Sequence, residues 1–164
     1  MLYDPITGHR VKDPYSKITW VHSILKKENY NLCQCFFGEH LLAQYPDQPV
    51  SIVESEKTAL IASIYFPHFV WIATGGKNGC KWTTWDVCKV LKGRKVILWP
   101  DISAYEDWLK KASILKQLGL SVMISDLLER KATEVERASG LDLADFLIRF
   151  PKEDFIPDAT SLPP

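Results

Sequence analysis

The sequence predicts an α/β fold, a four-stranded and mainly parallel sheet flanked by helices, with a short N-terminal extension. Three observations predict it. Four short runs rich in β-branched and apolar residues recur between positions 50 and 124, stretches with apolar residues at helical spacing separate them, and Gly or Pro punctuates the boundaries. Strands alternating with helices at this spacing form right-handed crossovers, which lay the strands parallel and cover both faces of the sheet.

The elements follow in order. Val50-Ser-Ile-Val53 is the first strand, and Glu56 to Phe66 is a helix that Pro67 stops. Phe69 to Ala73 is a strand running into Thr74-Gly75-Gly76, a turn that needs the positive φ open to glycine. Trp82 to Leu91 reads as a helix closed by Gly93, and Lys95 to Trp99 as a strand ended by Pro100. Tyr105 to Leu118 is amphipathic, with Trp108, Ile114, Leu115 and Leu118 inward and Gly119 as its cap. Leu120 to Ile124 is the fourth strand; Thr133 to Ala138 and Leu143 to Ile148 are short helices. The organisation expected is an extension over 1–45 packed on or beside the core, an α/β domain over 46–150, and a loose proline-containing tail over 151–164.

Composition narrows the function classes. The 164 residues are 46% hydrophobic and 24% charged, with 20 basic and 20 acidic side chains, so no global field draws the chain to nucleic acid or anionic lipid. No apolar run reaches the ~18 residues of a membrane span, and the first twenty residues do not have the basic-then-apolar pattern of a leader; a cytoplasmic protein is expected. Charge is nevertheless uneven, with net +3 over residues 1–27 and net −4 over 126–164. The basic start interleaves Arg10, Lys12, Lys17, Lys26 and Lys27 with Tyr3, Tyr15 and Trp20, a mix of phosphate-binding and stacking groups suited to single-stranded nucleic acid. The plainer reading is a solvated arm whose aromatics tuck into the core.

In an open parallel sheet, ligands sit beyond the carboxyl ends of the strands. The polar residues there are Glu54, Gly75 with Gly76, Asp101, and Ser125 with Asp126. Several carboxylates on one rim invite a divalent cation, and Mg²⁺ prefers such oxygen ligands. Taken singly, Ser55 and Asp101 are equally well read as helix caps. Gly75-Gly76-Lys77 lacks the Gly-Lys-Ser/Thr ending of a Walker loop, yet its backbone N–H groups are placed to approach a phosphate. Cys33, Cys35 and His40 have no second ligand pair at zinc spacing and are read as incidental.

Val50-Ser-Ile-Val-Glu54-Ser-Glu56-Lys-Thr-Ala-Leu60, Ala73-Thr-Gly-Gly76, Val96-Ile-Leu-Trp-Pro-Asp101 and Gly140-Leu-Asp142-Leu-Ala-Asp145 together resemble the ordered motifs of a Toprim domain, shared by bacterial primases, topoisomerases and OLD-type nucleases. The chain as a whole is similar to Toprim-like proteins found on Bacteroidetes mobile elements, through Tyr3-Asp-Pro-x-Thr-Gly-His-Arg10, Trp20-Val-His22 and Cys35-Phe-Phe-Gly-Glu-His-Leu-Leu42. The resemblance implies that Glu54 moves a proton as general acid or base, that Asp101, Asp142 and Asp145 are metal acids, and that Mg²⁺ is the cofactor. It departs at Ser103, where the second aspartate of the Asp-x-Asp metal motif would fall, and at Ser55, where glycine is common.

Two functions are therefore expected in competition. One is Mg²⁺-dependent phosphodiester chemistry, primase-like or nucleolytic, in replication or mobilisation of a mobile element, with Arg10, Lys12, Lys17, Gly75, Gly76 and Lys77 holding nucleic acid, single-stranded DNA above all. The other is a non-catalytic adaptor that keeps the scaffold and has a degenerate metal motif. A small-nucleotide binder using the glycine turn is a third reading. If the arm does not hold the strand, Lys77, Lys81 and Arg94, expected beside the glycine turn, are the next cations to consider.

Overall fold

The computed structural model describes residues 2, 4–6, 11–15, 19–77 and 79–155. The chain divides into two compact units, Met1–Cys33 and Gln34–Pro164. The boundary falls before 45 because Phe36 and Leu42 are buried in the core of the second unit. Among its described residues the first unit holds one short helix, α1 (Val21–Ile24), with the His22 and Tyr30 rings stacked at 4.3 Å.

The second unit is built on a four-stranded, wholly parallel sheet in the order β2-β1-β3-β4, where β1 is Val50–Val53, β2 Val70–Ala73, β3 Lys95–Leu98 and β4 Ser121–Ile124. Val50 pairs with Val70 on one side and Val96 on the other, and Lys95 pairs with Ser121. Every residue of β1 and β2 is buried, as a strand covered on both faces requires. The helices are α2 (Leu41–Gln44), α3 (Glu56–Tyr65), α4 (Trp85–Cys88), α5 (Tyr105–Gln117), α6 (Leu127–Lys131), α7 (Glu134–Ser139) and α8 (Leu143–Leu147).

Two apolar layers cover the sheet. Val50, Ile52, Ile72, Val96 and Leu98 point to one face and meet Trp82, Cys88, Trp108 and Leu115; Val53, Trp71 and Ala73 point to the other and meet Ala59, Ala62, Leu143 and Leu147. Each fully buried side chain of this size contributes roughly 1.5–3 kcal/mol. Ser51 is the buried polar exception in β1, and its Oγ accepts from Trp99 Nε1 at 3.1 Å. The outer edge of β2 is met at its end by Phe37, whose backbone exchanges hydrogen bonds with Ala73, and Gly38 follows at φ +79° with its Cα side against the Trp71 carbonyl.

Four expectations need correction, the first being Ile114, which was expected inward on α5 and is 42% exposed. The helix expected over Trp82–Leu91 begins only at Trp85, because Lys81 adopts φ +52° and Thr84 closes a turn onto the Lys81 carbonyl; its last turn, Lys89–Leu91, is a 3₁₀ helix. Of the tail expected to be loose over 151–164, the start is tied down, with the Phe155 ring packed edge-on to Tyr65, Phe66 and Phe150, and 156–164 lie outside the described residues. Arg94 lies at the amino end of β3, the end of the sheet away from the glycine turn, where its guanidinium donates to the Tyr45 and Gln48 carbonyls.

Candidate functional site

The strand order sets the site. From β1 the chain crosses to β2 on one side, and from β3 it crosses to β4 on the other, so α3 and α5 leave on opposite faces and a crevice opens between the carboxyl ends of β1 and β3. Glu54 follows β1 and Asp101 lies three residues past β3. The Trp99 amide donates to the Ile52 carbonyl at 2.9 Å, which keeps the two strand ends in register up to the crevice.

The glycine turn is fixed to the same point. The Gly75 and Gly76 amides both donate to the Glu54 carbonyl at 3.0 Å, and Thr74 Oγ1 donates to it at 3.3 Å. Positive φ at both glycines, +81° and +111°, bends the turn so. These two amides are therefore spent on Glu54, and the turn positions that residue while presenting Lys77 beyond it. Of the expected arm residues, Lys12 is exposed, as are Tyr15 and Trp20; Arg10, Lys17 and Tyr3 lie outside the described residues.

Asp142 and Asp145 arrive on the other flank. The Ile102 amide donates to the Leu141 carbonyl at 3.1 Å, which brings the start of α8 against the loop after β3. Asp142 is the N-cap of α8 and Asp145 its third residue, and together they form a reciprocal capping box. Both also engage a residue to which the sequence reading gave no role: Lys57 Nζ lies 2.8 Å from Asp142 Oδ2 and 3.3 Å from Asp145 Oδ1. Thr58 Oγ1 donates to Asp142 Oδ2 at 2.9 Å, and Ser55 caps α3 by accepting from the Thr58 amide. Burial would raise the Asp142 carboxyl, but Lys57, the Asp145 amide and the Thr58 hydroxyl together hold it below the usual carboxylate range. The same carboxylates outweigh desolvation at Lys57 and raise its ammonium above the ordinary lysine value.

Partnering separates the acids of this rim. Asp126 pairs with Arg130 at 3.0 Å and Asp107 with Lys111 at 2.7 Å, while Asp142 and Asp145 share Lys57. The side chains of Glu54 and Asp101 have neither hydrogen bond nor ion pair among the described residues. Burial first, then the negative charges of Glu54 and Asp142, push the Asp101 carboxyl up to about 7, only partly offset by Lys57. A carboxyl this hard to ionise beside a second acid is the electrostatic environment that a cation relieves. The fit to Mg²⁺ is thus to a two-carboxylate site completed by water, with Asp142 and Asp145 already turned to an ammonium; among the described residues no group of three or more His, Cys, Asp or Glu is arranged to hold a metal. Ser103 is exposed and sits at φ +71°.

Two cavities lie outside the crevice. The larger, about 410 Å³, opens at the outer edge of β2 among Phe37, His40, Leu41, Tyr45, Phe69 and Trp71 and contains none of the rim acids. The second, about 370 Å³, is bounded by Lys77, Lys81, Trp82, Thr83, Thr84 and Lys111 beside the glycine turn. Among the described residues no helix is long and apolar enough to cross a membrane.

Comparison with known proteins adds one finding. No curated protein matches the chain, and no solved structure does. A family model described as a domain of unknown function, DUF6371, matches residues 1–102, a span that carries the basic start, Glu54, Lys57, the glycine turn and Asp101. The match covers more than half of the sequence, and the chain therefore belongs to the DUF6371 family.

Proposed function

We propose that this protein is a Toprim-like, nucleic-acid-associated protein whose crevice between β1 and β3 carries out Mg²⁺-dependent phosphodiester chemistry, in replication or mobilisation of a mobile element. The observation that carries the reading is the pair Glu54 and Asp101, whose side chains have neither hydrogen bond nor ion pair among the described residues, at the point where the sheet changes direction. Asp101 would hold the ion beside Glu54, and the ion when bound would polarise a phosphoryl oxygen and make a water or hydroxyl more acidic. Glu54 is the group placed to take that proton, since its backbone is fixed by three hydrogen bonds while its carboxylate stays free of partners. Asp142 and Asp145 act through Lys57, fixing an ammonium beside the crevice. The basic start with Lys12, and Lys77 beyond the turn, supply cations for the strand.

Ser103 and Lys57 favour a second reading, the adaptor. A hydroxyl stands where a second metal carboxylate would supply charge, and the ammonium already engages two of the four acids. One experiment separates the two. Purified protein and its Glu54→Gln variant are compared on labelled single-stranded DNA with Mg²⁺, scoring both binding and any cleavage or extension. The catalytic reading predicts that the variant binds as the natural chain does and loses at least about 100-fold in turnover, the scale of one general acid or base. Binding by both with turnover by neither assigns the adaptor role.

A further inference from the structure

We propose that the cavity bounded by Lys77, Lys81 and Lys111 is a phosphate-binding pocket, a second site on the same rim as the acidic crevice. Its content is strongly one-signed. Three lysines line a space of about 370 Å³, and Asp107, paired with Lys111 at 2.7 Å, also feels the charge of Lys77. The lining carries an excess of positive charge, and Lys77 and Lys81 have no ion pair among the described residues.

One of the cations is held in place. Trp82 is buried at 3% exposure, its ring packed against Trp108 at 5.0 Å, and Lys111 Nζ lies over that ring at 5.4 Å from its centroid. The Lys111 side chain is itself only 20% exposed, so its ammonium is fixed above an apolar floor where attraction to an anion is stronger than in open water. Backbone bonds beside the other two lysines set where they leave the chain. Gly79 donates to the Gly76 carbonyl and Cys80 to the Thr74 carbonyl, both at 2.9 Å, and a Cβ at Gly79 would fall 1.8 Å from the Thr74 oxygen, so only glycine closes this turn. Lys77 and Lys81 leave the two sides of it toward one cavity.

These features select an anion. Lysine presents a compact point charge, and phosphate oxygens are among the groups such charges hold. The Trp82 ring is covered and unavailable to stack on a base, so recognition is of the phosphate and indifferent to sequence. The same turn donates two amides to the Glu54 carbonyl, which ties the pocket to the crevice. The choice of phosphate among anions rests on the phosphodiester reading; the pocket itself does not. The phosphate belongs either to a strand backbone or to a free nucleotide.

The test uses the full chain in EDTA, so that no turnover enters it. Inorganic tripolyphosphate is titrated calorimetrically into the natural protein, into Lys77→Gln/Lys81→Gln/Lys111→Gln, and into the corresponding triple arginine variant. The expected result is binding that weakens at least about tenfold in the glutamine variant and survives in the arginine one. Lys77→Glu/Lys81→Glu, confined to exposed side chains, serves if the Lys111 change unfolds the protein, and must show the same loss. Parallel titrations with dTTP and labelled oligothymidylate name the source: loss on the oligonucleotide, with its salt slope flattened by about 2, assigns the strand backbone, and loss on dTTP alone assigns the nucleotide. Tripolyphosphate affinity unchanged in the folded glutamate variant, or no binding by the natural chain at low salt, overturns the pocket. Either result leaves the Glu54→Gln comparison of the crevice untouched.

Discussion

Asp101 is the residue whose chemistry departs furthest from its ordinary state. Burial and the neighbouring charges of Glu54 and Asp142 raise its carboxyl to about 7, against 3.8 for a free aspartate. The folded chain therefore holds a proton there that the unfolded chain releases, and the stability this residue permits is greatest below pH 4 and declines as pH rises toward 7. Asp101→Asn removes the titration. It should match the natural chain in thermal midpoint near about pH 4 and exceed it near about pH 8 by a few degrees, from roughly 1–3 kcal/mol after allowance for partial solvent access. A gain that is the same at both values, or a loss at both, contradicts the assigned environment. Glu54 and Asp101 were legible as a pair because the rule placing ligands beyond parallel strand ends needs only strand positions. Lys57 was not, since its contact with Asp145 joins side chains 88 positions apart and nothing local announces it.

At the scale of elements, α3 and α8 are joined through a polar contact rather than by apolar packing alone. Thr58 is fully buried, its hydroxyl donates to Asp142 Oδ2, and Ser55 Oγ lies 2.8 Å from it. Thr58→Val keeps the shape and strands both partners, so it should cost about 1–3 kcal/mol. In a double-mutant cycle with Asp142→Asn by urea unfolding, the two losses should be non-additive by at least about 0.5 kcal/mol. Full additivity would mean that the hydroxyl and the carboxylate do not interact. The strands were readable from Val50-Ser-Ile-Val53 and Lys95-Val-Ile-Leu98, where β-branched runs have no competing pattern. Residues 82–84 misled because Trp82 and the following polar residues fit a helical repeat, whereas burial of Trp82 against Trp108 is served by a turn at positive φ. The resemblance implies metal acids at Asp142 and Asp145, but a spacing of three also fits a capping box, and the N-cap position of Asp142 makes them one.

Over the whole chain, zero net charge is distributed as a basic start and an acidic end. Affinity for nucleic acid must then be local, and Arg10→Ala/Lys12→Ala/Lys17→Ala should flatten the salt dependence of single-strand binding, measured by anisotropy, by about 2 in log–log slope at roughly 0.7 per phosphate neutralised. An unchanged slope removes the arm from strand binding. The central claim, however, concerns the crevice, and it is tested most directly by following backbone amide resonances of the ¹⁵N-labelled chain during a Mg²⁺ titration. The account predicts saturable shifts at Glu54, Thr74 to Gly76 and Asp101 to Ile102, with a Kd of about a millimolar for a site of two carboxylates and several waters, and their disappearance in Glu54→Gln/Asp101→Asn. Rim resonances that stay still throughout the titration, or shifts that survive loss of both acids, would contradict it.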